Sequence, residues 1–127
     1  MQTANLRRAV AGALGATGAL HLALAPEYLS EQAYIGVLFI AGGLTAIGLA
    51  VVLWTRSDAR ALALGAAIAV GMAAGFVLSR TTGLPGFHEA EWEASGLLSL
   101  VLEAFVAGGA WQLLRSGTLG VRGAIAR

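Results

Sequence analysis

Four long apolar stretches, separated by short polar ones, organise the chain. They cover residues 6–25, 33–54, 61–79 and 94–114. No Asp, Glu, Lys, Arg or His lies between 33 and 54, nor between 62 and 79. A helix needs about 20 apolar residues to cross a bilayer core of about 30 Å, and each stretch meets that length. The pattern predicts an all-α fold: one integral membrane four-helix bundle over residues 1–127, sequential helices running as antiparallel neighbours. Boundary residues support these limits. Pro26 is expected to close the first helix, and Ser30 with Glu31 and Gln32 to cap the second. Ser57-Asp58 stands at the start of the third, Gly83-Leu84-Pro85-Gly86 marks a turn before the fourth, and Gly117 follows it as a stop.

The first stretch also mimics a secretory signal, with Arg7 and Arg8 ahead of an apolar run that ends in Ala23-Leu24-Ala25. Cleavage there would leave Pro26 as the first mature residue, a poor fit to a peptidase. The segment is read as a retained helix.

Charge fixes an expected orientation. With alternating helices, Arg7, Arg8, Arg56, Arg60, Arg115, Arg122 and Arg127 share one side, and Arg80 alone falls on the other. The positive-inside rule then places both termini in the cytoplasm, with the chain in the plasma (inner) membrane. Glu27, Glu31, Glu89, Glu91 and Glu93 gather on the opposite side. Trp54 and Trp111 are expected at the inner interface, and Tyr28, Tyr34 and Trp92 at the outer one.

Composition narrows the chemistry. Charged residues make up 12% of the chain, about half the share in soluble domains. A net charge of +1 without a clustered basic face argues against a nucleic-acid partner. The absence of cysteine excludes disulfides, thiolate metal sites and cysteine nucleophiles. No conventional nucleophile–base pair is visible, so an enzyme is the least favoured class; only acid–base work by Glu103 and His21 is open to it. Small residues recur on the third helix (Ala67, Gly71, Gly75, Ser79) and on the first (Gly12, Ala16, Ala19, Ala23). Such stripes permit close packing within the bundle, or contact with a second copy or a larger complex.

Glu103 is the most informative position. It lies about 15 Å into the fourth helix at 1.5 Å per residue, near the bilayer centre, where ionisable groups are costly and mark candidate sites. Gly96, Ser99, Glu103, Ala107 and Ala110 share a face expected to point into the bundle. Leu98, Val101, Leu102 and Phe105 occupy the face expected toward lipid. His21, with Thr17 on its face, leans toward Glu103 because helical side chains tilt toward their own N-terminus. Arg80 is within reach of Glu93 or Glu103. A ligand or ion pocket is therefore expected around Glu103, His21, Arg80, Ser99 and Thr17. It would take a small solute, cation or proton from the outer side.

The run from His88 to Glu93 raises a second reading. His88, Glu89 and Glu93 are nitrogen and oxygen donors suited to a divalent metal, and His21 with His88 could ligate a haem or metal. A third reading is an accessory subunit with no site of its own. In size and hydropathy the chain resembles the four-helix small multidrug exporters. Their functional glutamate sits in the first helix, where this sequence has His21, so no residue role is carried over.

Reporter fusions test the orientation. Those after residues 58 and 127 are expected to read cytoplasmic, and one within 86–91 extracytoplasmic. A cytoplasmic signal from the 86–91 site would overturn the charge argument.

Overall fold

The computed structural model describes residues 2–116; Gly117, Arg122 and Arg127 lie outside them. Four helices carry the fold: α1 (Gln2–Glu31), α2 (Ala33–Thr55), α3 (Ala59–Arg80) and α4 (Ala94–Arg115). All four are long and apolar enough to cross a membrane, the pattern of a multi-pass protein. They form a ring in chain order. The α1–α2 contact is the most extensive and the α2–α3 contact the least, with α3–α4 and α1–α4 between them.

Glycine clearances explain the tight seams. At the α1–α2 crossing, a Cβ on Gly18 would come within 2.9 Å of the Gly43 carbonyl, and one on Gly43 within 2.8 Å of the Gly18 carbonyl. Only glycine permits that approach. Gly109 of α4 makes the same room for Val10 of α1, and Gly96 of α4 for Phe76 of α3. Apolar helices in lipid associate through such close contact, with no hydrophobic drive between them. The dense core lies toward the arginine-rich end, where Val10, Leu14, Leu53, Leu62 and Val106 are fully buried.

Pro26 does not end α1, contrary to expectation. A proline costs a helix one N–H donor and crowds the carbonyl four residues back. Here packing carries the helix past it: Ala25 and Tyr28 are buried on either side, and the Gln32 N–H returns to the Tyr28 carbonyl at 2.8 Å. Gln32 alone separates α1 from α2. Ser30 is not a cap, since its hydroxyl bonds the Glu27 carbonyl, and Gln32 at the cap position reaches Gly86 instead. At its other end α1 begins earlier than expected, at Gln2. Arg7 turns inward there and donates to the Leu53 and Trp54 carbonyls at 2.6 and 3.2 Å, satisfying the free C-terminus of α2.

The stripe on α1 is also corrected. Gly12, Ala16, Ala19 and Ala23 are exposed, and the buried face is the opposite one, through Leu14, Thr17, His21 and Tyr28. The polar residues anchor that face inward. Tyr28 is thus a core residue rather than an interface marker, whereas Tyr34, Trp54, Trp92 and Trp111 are exposed. On α4 most of the expected faces hold: Gly96, Ser99, Glu103 and Ala110 are buried, and Leu98, Val101 and Phe105 are exposed, while Ala107 is half-buried and Leu102, expected toward lipid, packs partly buried against the core.

Asp58 caps α3 as read from the sequence, accepting from the Arg60 and Ala61 amides at 3.0 and 3.1 Å. The Ala61 amide foremost, with the Arg60 amide and the Arg56 and Arg60 charges, holds its carboxyl below the ordinary value against an opposing desolvation second in size only to the Ala61 amide. A lowered folded-state pKa gives stability that is present above the unfolded value of about 3.9 and lost as pH falls through the folded one. Asp58→Asn keeps a capping oxygen without the charge. Wild type is expected to melt above Asp58→Asn at neutral pH, with the gap closing below about pH 4. A gap that stays constant through that range would show the carboxylate charge is not involved.

Candidate functional site

Thr17 and His21 stand one turn apart on the buried face of α1, and Ser99 and Glu103 one turn apart on α4. The α1–α4 seam brings the four together. Glu103 is 1% exposed, and its Oε2 accepts from the Thr17 hydroxyl at 2.8 Å and from the Ser99 hydroxyl. The two hydroxyl oxygens are 3.1 Å apart, closing a triangle of oxygens. Three contacts need three protons for full satisfaction, and the hydroxyls supply one each. An ionised carboxylate leaves one edge without a proton; a protonated carboxyl can supply the third. Glu103 Oε1 is buried without a hydrogen-bond partner among the described residues.

His21 lies beside this triangle. Its Nδ1 is 2.8 Å from the Thr17 carbonyl. A carbonyl only accepts, so Nδ1 is the donor, and Nε2 is the nitrogen left without a hydrogen bond. That nitrogen faces Glu103 Oε2 at 4.0 Å. The ring packs on Phe39, centroids 4.7 Å apart.

Arg80 forms a second polar cluster at the end bearing the α3–α4 connection. It pairs with Glu93, one of the acids within its sequence reach, and its guanidinium also donates to the Tyr28 hydroxyl (3.1 Å), Ser79 (2.8 Å) and the Glu91 carbonyl (3.0 Å). It lies 4.3 Å from the Phe76 ring centroid. The connection is tight. Leu84 and Phe87 exchange backbone hydrogen bonds across Pro85-Gly86, where Gly86 takes φ +66° as the second central residue of a type II turn requires. The turn seats Phe87 against Tyr28.

Between the clusters lies a cavity of about 320 Å³. His21 and Ser99 border it at one end and Arg80 and Glu93 at the other. Glu103 is not on its wall; it stands behind His21 and Ser99. The rim includes Leu38 of α2 and Gly71 of α3, both exposed, at the loosest seam of the ring. The α3 stripe therefore serves no close helix contact at its centre. A Cβ on Gly71 or Gly75 would meet nothing within 4 Å.

The expected pocket residues Glu103, His21, Thr17 and Ser99 converge, and Arg80 joins them through the cavity. The expected metal set does not assemble. Glu93 is taken by Arg80, and His88 Nε2 sits 3.0 Å from the Thr81 carbonyl. Among the described residues no three His, Asp or Glu side chains gather as ligands, Glu89 included. His21 borders the cavity and His88 does not, so the haem reading lacks its second ligand. Sequence reasoning passed over Tyr28 and Phe39 as site residues. Tyr28 had a signal, since it follows His21 by seven residues on the same face of α1.

Fold and site together define an all-helical chain whose four membrane-length helices enclose an imidazole–carboxyl pair behind a largely apolar cavity. No family model, curated protein or solved structure matches it.

The oxygen triangle predicts energetic coupling. Thr17→Val is expected to cost about 1–3 kcal/mol, the penalty for removing one partner of a buried polar group. Combined with Glu103→Leu it should cost less than the sum of the two, with a coupling of roughly 0.5–3 kcal/mol in detergent unfolding. Strict additivity would show that the two side chains do not depend on one another.

Proposed function

We propose that this is a plasma-membrane protein with cytoplasmic termini that binds or moves a small solute or cation through the cavity. Glu103 and His21 exchange a proton as it does so. The observation that carries this reading is the convergence of a carboxyl, an imidazole and two hydroxyls at one end of the cavity. Glu103 stands close to midway along α4, at the depth where an ionisable group is most costly and most often functional. A purely structural role would be served by two neutral side chains. It would need neither an imidazole with one free nitrogen nor a carboxyl oxygen left unbonded.

The chemistry follows from the layout. A solute in the cavity meets His21 and Ser99 directly, and both touch Glu103. Proton gain or loss at the carboxyl redistributes the hydroxyl protons of Ser99 and Thr17. It also changes the field at His21 Nε2, so occupancy and protonation are linked. The arginine-rich end, densely packed, serves as the closed side.

Infrared titration of the protein in lipid nanodiscs tests this. A carboxyl C=O band is expected to change with pH, to vanish in Glu103→Gln, and to shift its midpoint in His21→Gln. Glu103→Gln keeps shape and hydrogen bonding, so the folded variant isolates the charge. A Glu103 carboxyl that keeps one state at every pH where the protein stays folded would make the site structural and overturn the reading.

A further inference from the structure

Two unlike surfaces border the cavity. One wall is a row of rings: His21, Phe39, Tyr28 and Phe87, with successive centroids 4.7, 4.5 and 5.6 Å apart. α3 also borders the cavity, through Ile68, Met72 and Phe76, and Gly71 and Gly75 there leave open the space their side chains would fill. Ring and thioether side chains beside open glycine positions favour an apolar, ring-bearing occupant. A volume of about 320 Å³ suits a small molecule of one or two rings.

At the Arg80 end of the cavity, two donor protons have no acceptor among the described residues. Arg80 has five N–H groups. Four go to Glu91, Ser79, Tyr28 and Glu93, which leaves one N–H on Nη1 without a partner among the described residues. Its side chain is 2% exposed. The Tyr28 hydroxyl accepts from Arg80, yet its own proton has no acceptor there, and Tyr28 is 5% exposed. Both residues border the cavity. Buried donors are normally satisfied, so an occupant with an acceptor at this edge fits them. The Glu93 carboxylate already balances the Arg80 charge. An uncharged acceptor is thus favoured over an anion.

Resting on the reading above that the cavity is a binding site, we propose that its ligand is a membrane-soluble quinone-class molecule. Its ring lies between the aromatic row and Gly71–Gly75, and one carbonyl oxygen accepts from Tyr28 and Arg80. The second carbonyl points to the His21–Ser99 end. The exposed rim at the α2–α3 seam gives such a molecule a path from the lipid.

Menadione is the probe, with 2-methylnaphthalene as the same ring system without carbonyls. Trp92, whose ring lies 5.5 Å from Phe76, reports binding by fluorescence quenching once Trp54 and Trp111 are replaced by Phe. In nanodiscs menadione is expected to bind at least about tenfold more tightly than 2-methylnaphthalene, the worth of one good polar contact. Tyr28→Phe should erase most of that preference, and Gly75→Leu should abolish binding of both probes. Gly48→Leu, at an exposed α2 position where a Cβ also meets nothing within 4 Å, should leave binding unchanged. Equal affinity for the two probes would overturn the ligand class, as would an unaltered preference in Tyr28→Phe. Gly75→Leu that folds and binds normally would overturn the cavity as the site. The infrared titration of Glu103 is independent of these results. Carbonyl-dependent menadione binding with a silent Glu103 supports the ligand class while removing proton exchange; a titrating Glu103 without menadione binding overturns the ligand class alone.

Discussion

A carboxyl enclosed by apolar helices has to find its hydrogen-bond partners inside the bundle, because hydrocarbon offers none. Where those partners stand decides the rest. Glu103 is met by Thr17 and Ser99, so α1 and α4 are fixed to each other in register at that level. His21 follows one turn along α1 and carries Phe39 of α2 with it. Near the same level the Gly18–Gly43 crossing clamps α2 on the other flank of α1. With α1 bonded on one side and clamped on the other, α2 and α3 close the ring by whatever contact remains. That contact is the weakest of the four, and the cavity lies beside it.

Glycine has two opposite uses here. Gly18, Gly43, Gly96 and Gly109 sit where another atom already occupies the Cβ position, so they bring elements together. Gly71 and Gly75 sit where nothing occupies it, so they hold elements' side chains apart. Gly12 and Gly48 also face open space, but on the outer surface. A substitution at the first set forces helices to shift, whereas one at the second fills a void. The same residue type thus has different consequences, set by the neighbouring helix.

Much of the fold was legible in the sequence because lipid permits few solutions. Uninterrupted apolar runs of membrane length read as helices, and Asp58 marked the start of α3 through a local rule. The Glu103 face was legible too, since one costly acid on a helix declares which side is inward. What escaped notice depended on contacts distant in sequence. Pro26 is a strong local stop, overridden by the burial of Ala25 and Tyr28. The small stripes of α1 and α3 look alike in sequence, but one is exposed and the other borders a cavity. Tyr28 read as an interface residue because its partner, Arg80, lies 52 positions away. The His88–Glu93 run looked like a ligand cluster on donor type alone; Arg80 and the Thr81 carbonyl claim Glu93 and His88 first.

The two polar clusters also differ in how completely they are satisfied, and that difference bears on what the cavity is for. A donor buried without an acceptor costs about 1–3 kcal/mol. The bundle does not lack acceptors: hydroxyl side chains elsewhere bond carbonyls on their own helices, as Thr45 does with Ala41 and Thr81 with Val77. A serine in place of Gly75 would put an oxygen on the cavity wall at no steric cost, since a Cβ there meets nothing. The chain instead keeps glycine there, with a Tyr28 proton and an Arg80 N–H unmet in the same cavity and a Glu103 oxygen unmet just behind it. Unmet polar groups grouped around one void carry a cost that packing alone does not repay. In the proposed reading the ligand is what completes them.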